Sequence, residues 1–333
     1  MELRILNATD VRLALPMTAA VAAMKKAFAE LARGEVTLPL RTQLDVSAHG
    51  GVALFMPAYA AGSDALAVKA VAVYPRNAQR GLPTIHGVVL VFEASSGRPV
   101  ALLEGGALTA IRTGAASGAA TDLLARPDAG VAAIIGSGVQ ARTQLEAVCA
   151  VRPIQEVRVY STNPEQAEQF AREMSGQGAI PSCVVVAADA DSAVQGADVV
   201  CTATTSFTPV FSASALSSGC HVNAVGSFRP DMQEIPTETV RQARLVVDQR
   251  EAAQALAKKA KCTKCHSVDK KKDGPAYQDV AEKYKGKADA VDKLYTHLTT
   301  GPMVEVDGEK EEHEILRASD DEIRNLIGWI LSR

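Results

Sequence analysis

A Cys-x-x-Cys-His pentapeptide at residues 262–266 constrains this chain more than any other feature. Cys262 and Cys265 are spaced so that both thiols can add to the vinyl groups of one haem, and His266 then lies beneath the iron as an axial ligand. A zinc site would need two further ligands, and no second pair of closely spaced cysteines follows. The motif therefore predicts a covalent c-type haem in the C-terminal part of the chain.

The choice of basic residue changes abruptly along the sequence. Residues 1–250 contain 17 Arg and 3 Lys, whereas residues 251–333 contain 12 Lys and 3 Arg. A uniform chain rarely changes in this way, so we expect a separate haem domain over residues 252–333. The net charge of −3 gives no electrostatic reason to expect nucleic acid as a partner.

The first 30 residues carry charges throughout and lack the apolar segment of a secretory signal. No run of about 18 apolar residues occurs, so we expect no membrane span. These features predict a cytoplasmic enzyme. That expectation conflicts with the haem motif, because c-type haem is normally attached outside the cytoplasmic membrane.

A glycine-rich turn at residues 136–141 predicts a dinucleotide-binding fold. The apolar strand 131–135 leads into Gly136 and Gly138, which allow a tight turn and close approach to a pyrophosphate, and Ala141 allows a helix to pack on the sheet. Further strands are predicted at the spacing of a parallel α/β sheet: Glu156–Tyr160, Cys183–Ala187, Asp198–Thr202, His221–Val225 and Arg244–Asp248.

The strand predicted over Glu156–Tyr160, the second of the domain, ends without the acidic residue that usually binds the ribose 2′-hydroxyl of NAD. Ser161 and Thr162 stand there instead, and Arg158 or Arg172 could supply charge for a 2′-phosphate. The sequence thus favours NADP(H) over NAD(H). Loops at the carboxyl ends of such strands line the cofactor crevice, which selects Thr202 and Thr204 as further contacts. Thr202 is the last residue of the strand predicted over Asp198–Thr202, and Thr204 follows it.

Arg41, Lys69 and Arg112 lie in apolar or small-residue surroundings. A buried cation is costly without a partner, so these positions indicate an anionic ligand. Internal salt bridges or solvated side chains would explain each cation equally well.

Residues 1 to about 250 resemble the ornithine cyclodeaminase/mu-crystallin family. The resemblance rests on the stretches 55–57, 68–69, 109–125, 136–142 and 225–234. It implies an α+β substrate and dimerisation domain over residues 1–120 and a Rossmann domain over 121–251. The chain is therefore expected to be α/β, with a homodimer as a candidate assembly. It also implies that Arg41, Lys69 and Arg112 hold a substrate carboxylate, with Thr84 as a further pocket residue. His86 is either a proton donor there or a structural residue. Gln140 and Gly226 join the cofactor-binding residues.

One departure distinguishes members of the family. Ornithine cyclodeaminases carry a catalytic Asp two residues after the Gly that matches Gly226, and this chain has Phe228 there. Ring-closing deamination is therefore the alternative. The resemblance favours ketimine reductases, which reduce Δ1-pyrroline-2-carboxylate or Δ1-piperideine-2-carboxylate by hydride transfer from a nicotinamide. The family's C-terminal helices are not recognisable after residue 248.

Residues 252–333 resemble a small all-α class I cytochrome c. Helices are predicted over Ala252–Lys261 and Ala288–Thr299 and after Ser319. Met303 is the favoured sixth haem ligand and His313 the alternative, and Met ligation would raise the reduction potential. Lysines around the haem motif could steer a redox protein partner, and a merely solvated lysine-rich face would explain them equally well.

Three functional hypotheses follow. The first is an imine reductase fused to a cytochrome, and the second is an electron carrier in which only the cytochrome works. The third is a relay from nicotinamide to haem. It is the least favoured, because a hydride carries two electrons and a haem accepts one.

Overall fold

A computed structural model describes residues 2–39, 41–227, 232–247, 275–285, 287, 289–306, 309–313, 315–316, 323, 326–327 and 330–331. The chain divides into two compact units, Met1–Arg244 and Leu245–Arg333. Each unit is described by itself. None of the described helices is both long and apolar enough to cross a membrane.

The first half of the N-terminal unit is a seven-stranded sheet with helices on one face. Its strands have the order β1-β7-β6-β5-β4-β2, and β3 pairs with β4. β1 runs parallel to β7, and the remaining neighbours are antiparallel. The elements are β1 (Arg4–Leu6), α1 (Ala8–Ala14), α2 (Met17–Ala32), β2 (Val36–Thr37), β3 (Thr42–Val46), β4 (Gly51–Ala60), β5 (Ala65–Val73), β6 (Ile85–Glu93), β7 (Pro99–Glu104) and α3 (Gly105–Leu124).

Helix α3 packs on both halves of this unit because small residues occur along its whole length. A Cβ on Gly105 would lie 2.5 Å from the carbonyl carbon of Gly87 in β6. A Cβ on Gly114 would lie 2.3 Å from the carbonyl oxygen of Thr143 in the following domain. The domain boundary predicted between residues 120 and 121 falls within this helix.

The second half is a five-stranded parallel sheet with the order β10-β9-β8-β11-β12, which confirms the predicted Rossmann fold. Its core contains Ile134, Val157, Phe170 and Val199, all fully buried. The elements are β8 (Val131–Ile135), α4 (Val139–Val151), β9 (Glu156–Tyr160), α5 (Pro164–Met174), β10 (Val184–Val186), α6 (Ala190–Val194), β11 (Val199–Thr202), β12 (His221–Ala224) and α7 (Thr237–Gln242).

The strand predicted over Arg244–Asp248 does not form in its described part, residues 244–247. Leu245, Val246 and Val247 are 54%, 56% and 55% exposed. A β-strand needs a neighbour that completes its hydrogen-bond ladder. Within the described part of the chain no strand pairs with the outer edge of β12. The prediction was wrong because an apolar run supplies the side chains of a strand but not its partner.

The C-terminal unit contains α8 (Tyr277–Tyr284), α9 (Ala290–Thr300) and a hairpin of β13 (Met303–Val306) and β14 (Glu309–Glu312). Helix α9 confirms the helix predicted over Ala288–Thr299. The core of the C-terminal unit consists of buried residues from α8, from α9, from the segment after β14 and from the last helical residues: Tyr277, Leu294, Leu298, Leu316, Ile323, Leu326, Ile327 and Ile330. The helix predicted over Ala252–Lys261 and the haem motif lie outside the described residues.

Candidate functional site

A cavity of about 230 Å³ lies between the seven-stranded sheet and α3. Met56, Val89 and Leu108 give it apolar walls, and Lys69, Thr109 and Arg112 contribute its polar groups. Lys69 lies at the centre of β5, in register with Met56 on β4 and Val89 on β6, so alternation along the strands directs all three side chains to one face. The structure therefore brings together two of the three predicted carboxylate-binding cations.

The environment of Lys69 favours binding of an anion. Its Nζ donates a hydrogen bond to Oγ1 of Thr109 at 2.7 Å. Burial lowers the pKa of Lys69, and the nearby positive charge of Arg112 lowers it further. No Asp or Glu lines the described walls of this cavity. A carboxylate ligand would relieve both effects by placing a negative charge beside the two cations.

Arg41 and Thr84 are not in the cavity lining. Arg41 is exposed beside β3, and Thr84 is exposed just before β6. His86 pairs with Ala72, three residues from Lys69 along β5, and so faces the opposite side of the sheet. The roles predicted for Arg41 and Thr84 stay predictions.

The glycine-rich turn between β8 and α4 has the geometry of a pyrophosphate site. Gly136 has a φ of 114°, and a Cβ there would lie 2.6 Å from the carbonyl oxygen of Ala203. Around Gly138 a Cβ would meet no atom within 4 Å, which leaves the backbone open to a ligand. Ala141 is fully buried against the sheet. The N–H groups in the first turn of α4 have no helical partners, so they can bind an anion.

Ser161 follows β9 and binds the glycine turn. Its Oγ accepts a hydrogen bond from Oγ of Ser137 at 3.1 Å, while Thr162 is exposed beside it. The ion pairs of Arg158 and Arg172 do not direct either guanidinium to the end of β9. Arg158 binds Glu156 at 2.6 Å, and Arg172 binds Glu168 at 3.5 Å.

Gln140 lies on the first turn of α4, beside the glycine turn. Its Oε1 is buried, and the described residues supply no hydrogen-bond partner for it. A buried acceptor of this kind normally binds water or a ligand. The assignment of Gln140 to the cofactor site stays a prediction.

Thr202, Thr204 and Gly226 converge on Glu234, which sequence reasoning missed. Thr202 is fully buried, and its hydroxyl donates to Oε2 of Glu234 at 2.9 Å. The backbone N–H groups of Thr204 and Gly226 each donate to the same carboxylate at 2.6 Å. Glu234 lies eight residues beyond Gly226, and no short motif connects the two. Only the inclusion of Glu234 in the family-like segment 225–234 could have drawn attention to it.

The haem ligands are only partly described. Cys262, Cys265 and His266 lie outside the described residues. Met303 is 61% exposed on β13. The His313 ring is half-buried and meets the His297 ring edge-to-face, with 4.5 Å between their centroids. The choice between Met303 and His313 as sixth ligand stays a prediction.

Comparison with known proteins identifies both parts of the chain. The ornithine cyclodeaminase/mu-crystallin family matches residues 1–280, and the cytochrome c family matches residues 251–333. The second match implies a haem, whose attachment the Cys-x-x-Cys-His donor set fits.

Individual relatives resemble the first part. A Δ1-pyrroline-2-carboxylate reductase of Bacillus cereus is 42% identical over 250 residues, which are 75% of this chain and 76% of that protein. The structure of the Thermococcus litoralis Δ1-pyrroline-2-carboxylate reductase in complex with NADH and L-proline has a TM-score of 0.68 at 43% identity, over 74% of this chain and 76% of that one. An archaeal alanine dehydrogenase dimer with bound NAD has a TM-score of 0.69 at 28% identity, over 100% of this chain and 96% of that one. This chain therefore belongs to the ornithine cyclodeaminase/mu-crystallin family and joins a pyrroline-2-carboxylate reductase-like region to a cytochrome c domain.

Proposed function

We propose that the N-terminal unit reduces a small cyclic imino acid, Δ1-pyrroline-2-carboxylate or Δ1-piperideine-2-carboxylate, with a reduced nicotinamide dinucleotide. The observation that carries the proposal is the pair of cations, Lys69 and Arg112, in a cavity of about 230 Å³ whose other lining residues are apolar except for Thr109. A small ring bearing one carboxylate matches that cavity in size and charge. The Thermococcus relative was captured with L-proline, the product of reducing Δ1-pyrroline-2-carboxylate.

The residues of the cavity divide the work of binding. Arg112 and Lys69 hold the carboxylate, and Thr109 fixes the position of the Lys69 ammonium through their 2.7 Å hydrogen bond. Met56, Val89 and Leu108 contact the ring and exclude water. Arg41 and Thr84 are proposed as additional contacts from exposed positions outside the lining. Fixing the carboxylate fixes the direction of the adjacent carbon, which orients it for reaction. When bound, the reduced nicotinamide would supply the hydride.

The direct test is the oxidation of NADPH or NADH by the purified chain when either imine is added. Reduction of the imine to the cyclic amino acid supports the proposal. Release of ammonia from L-ornithine would instead support cyclodeaminase activity. Electron transfer by the haem domain, with no reduction of either imine, would support the hypothesis that only the cytochrome works.

NADPH is the proposed cofactor in preference to NADH. The support is the end of β9, where Ser161 and Thr162 present hydroxyls and no carboxylate. The hydroxyls can donate to a 2′-phosphate, whereas a carboxylate there would repel it. The ratio of kcat/KM for the two dinucleotides tests the choice, and a ratio in favour of NADH would reject it.

A homodimer is proposed on the face of the seven-stranded sheet opposite Lys69. Phe55, Ala70 and Val88 are paired across neighbouring strands on that face, and Phe55 and Val88 are 40% and 41% exposed. Exposed apolar patches of this kind mark interaction surfaces, and the similar alanine dehydrogenase is a dimer. Light scattering should show a dimer that Phe55→Lys dissociates. The control is Leu13→Lys, at a residue 78% exposed on α1, which should leave the dimer intact.

The C-terminal unit is proposed to carry one electron for a redox protein partner. Cys262 and Cys265 would attach the haem, His266 would ligate it, and Met303 would be the sixth ligand. The ring contact between His313 and His297 supports Met303, because it engages the competing imidazole.

The haem proposal is tested by expression with and without the periplasmic haem-attachment apparatus. Haem that resists acid–acetone extraction only when the apparatus is present supports the attachment site and its compartment. Met303→Ala should remove the methionine-to-iron charge-transfer band, and His313→Ala should retain it. Loss of the band only in His313→Ala would exchange the two assignments.

A further inference from the structure

The carboxylate of Glu234 connects the loops at the carboxyl ends of β11 and β12. Glu234 is 1% exposed. Its Oε1 accepts from the backbone N–H and the hydroxyl of Thr204, at 2.6 and 2.7 Å. Its Oε2 accepts from the hydroxyl of Thr202 and the backbone N–H of Gly226, at 2.9 and 2.6 Å. Each oxygen thus has two donors, which fits the acceptor capacity of an ionised carboxylate.

The backbone of Glu234 is held as firmly as its side chain. Its N–H donates to Oγ of Ser227 at 3.2 Å, and its carbonyl accepts from the N–H of Val210 at 2.9 Å. A Cβ on Gly226 would lie 2.4 Å from Oε1 of Glu234, so only glycine allows the carboxylate to approach this closely. Glu234 therefore fixes the two loops relative to each other.

These loops border one half of the dinucleotide crevice. In a doubly wound sheet each half binds one mononucleotide across the point where the strand order reverses. The order β10-β9-β8-β11-β12 places the glycine turn and β9 in the first half and β11 and β12 in the second. The first half carries the ribose position at the end of β9, and so the second half is the nicotinamide side.

We propose that Glu234 is a positioning residue for the nicotinamide half of the dinucleotide. The inference rests on the proposed function only in assuming that a dinucleotide binds. Glu234 acts through Thr204 and Gly226, whose backbones it holds at the crevice. 2′-Phospho-ADP-ribose, which differs from NADPH only in lacking the nicotinamide, does not depend on this arrangement.

The test compares two ligands in one variant. Glu234→Gln keeps the side-chain shape but replaces one acceptor oxygen with an NH₂ group that faces existing donors. We expect the Kd for NADPH to rise by about tenfold or more, and the Kd for 2′-phospho-ADP-ribose to stay within about twofold. In steady-state kinetics the KM for NADPH should rise, while the KM for the imine is retained. A purely structural defect would weaken both ligands together.

Two further variants keep the test decisive if Glu234→Gln fails to fold. Thr204→Val removes one hydroxyl donor to Glu234 and the acceptor of the Ser206 N–H, but it leaves the two backbone bonds to Glu234. It should therefore show the same selectivity with a smaller effect. Ser161→Ala, in the other half, should weaken 2′-phospho-ADP-ribose and NADPH alike.

Equal losses for both ligands in Glu234→Gln or Thr204→Val, or no loss of NADPH affinity, would overturn the proposal. A wild-type chain that binds NADPH but reduces no imine would reject the reductase function and leave the role of Glu234 intact. A wild-type chain that binds neither ligand would reject both.

Discussion

Replacing Lys69 with Met tests the substrate cavity most directly. The substitution keeps the length and apolar stem of the side chain and removes the ammonium that hydrogen-bonds Thr109. A hydrogen bond to a charged group contributes about 1.5–3 kcal/mol, which corresponds to roughly 10- to 150-fold in kcat/KM. Arg112 remains in the cavity and is relieved of repulsion from Lys69, so we expect a loss in the lower part of that range, about 10- to 30-fold.

Lys69→Met should also change the pH dependence of the unfolding free energy. The pKa of Lys69 in the folded chain is lowered, first by burial and then by Arg112, so folding disfavours its charged form. Between this lowered pKa and the unfolded value of 10.5 the unfolded chain binds more protons, and the unfolding free energy of the wild type therefore rises with pH in that window. Lys69→Met should abolish this rise and should not destabilise the chain at neutral pH.

The assay is the initial rate of imine reduction at saturating dinucleotide, measured from neutral to alkaline pH. The wild type should lose kcat/KM at a pH below 10.5, as the lowered pKa of Lys69 requires. Lys69→Arg is the matched control, since arginine keeps its charge throughout and should remove that alkaline decline. The reasoning is refuted if Lys69→Met retains kcat/KM within about twofold, or if Lys69→Arg declines with pH as the wild type does.

Three other substitutions test the dinucleotide domain. Gly136→Ala should raise the Kd for NADPH by at least about tenfold in calorimetry, because the positive φ and the nearby oxygen of Ala203 both oppose a Cβ. Ser161→Asp should shift the kcat/KM ratio toward NADH by about tenfold or more, and an unchanged ratio would remove the 2′-phosphate from this position. Arg152→Lys should lower the unfolding free energy by about 2–4 kcal/mol in urea titration, because lysine cannot reproduce the guanidinium bonds to the carbonyls at the end of α3.

The sequence predicted the parts of this molecule that depend on short-range patterns. The turn at Gly136 and Gly138 and its flanking strand and helix follow from residues close together in the chain. By contrast, Lys69 and Arg112 are 43 positions apart in the numbering, and only the family resemblance indicated that they share a cavity. The sequence predicts that Thr202 contacts the cofactor, yet its side chain is buried and its hydroxyl donates to the carboxylate of Glu234. Hydrogen-bond partners so distant in sequence leave no periodicity to detect.

The failed strand at residues 244–247 has a related cause. Its residues have the apolar character of a buried strand, but a ladder partner is a property of the folded sheet. The haem domain shows the same limit at the sixth ligand, since both Met303 and His313 suit iron by chemistry alone.

Helix α3 connects the cavity beside Lys69 with the dinucleotide-binding domain. With 20 residues it is roughly 30 Å long. Arg112 lies in the first half of the helix, and Thr121 near its end accepts a hydrogen bond from Asn223 on β12 of the dinucleotide-binding domain. Because its glycines let it contact both domains closely, the helix itself sets the distance from the proposed carboxylate site to the dinucleotide-binding domain. Chimeras with relatives should therefore be joined after residue 125, so that the whole helix comes from one parent. A junction inside the helix would change the distance between the proposed carboxylate site and the dinucleotide site even if both domains folded.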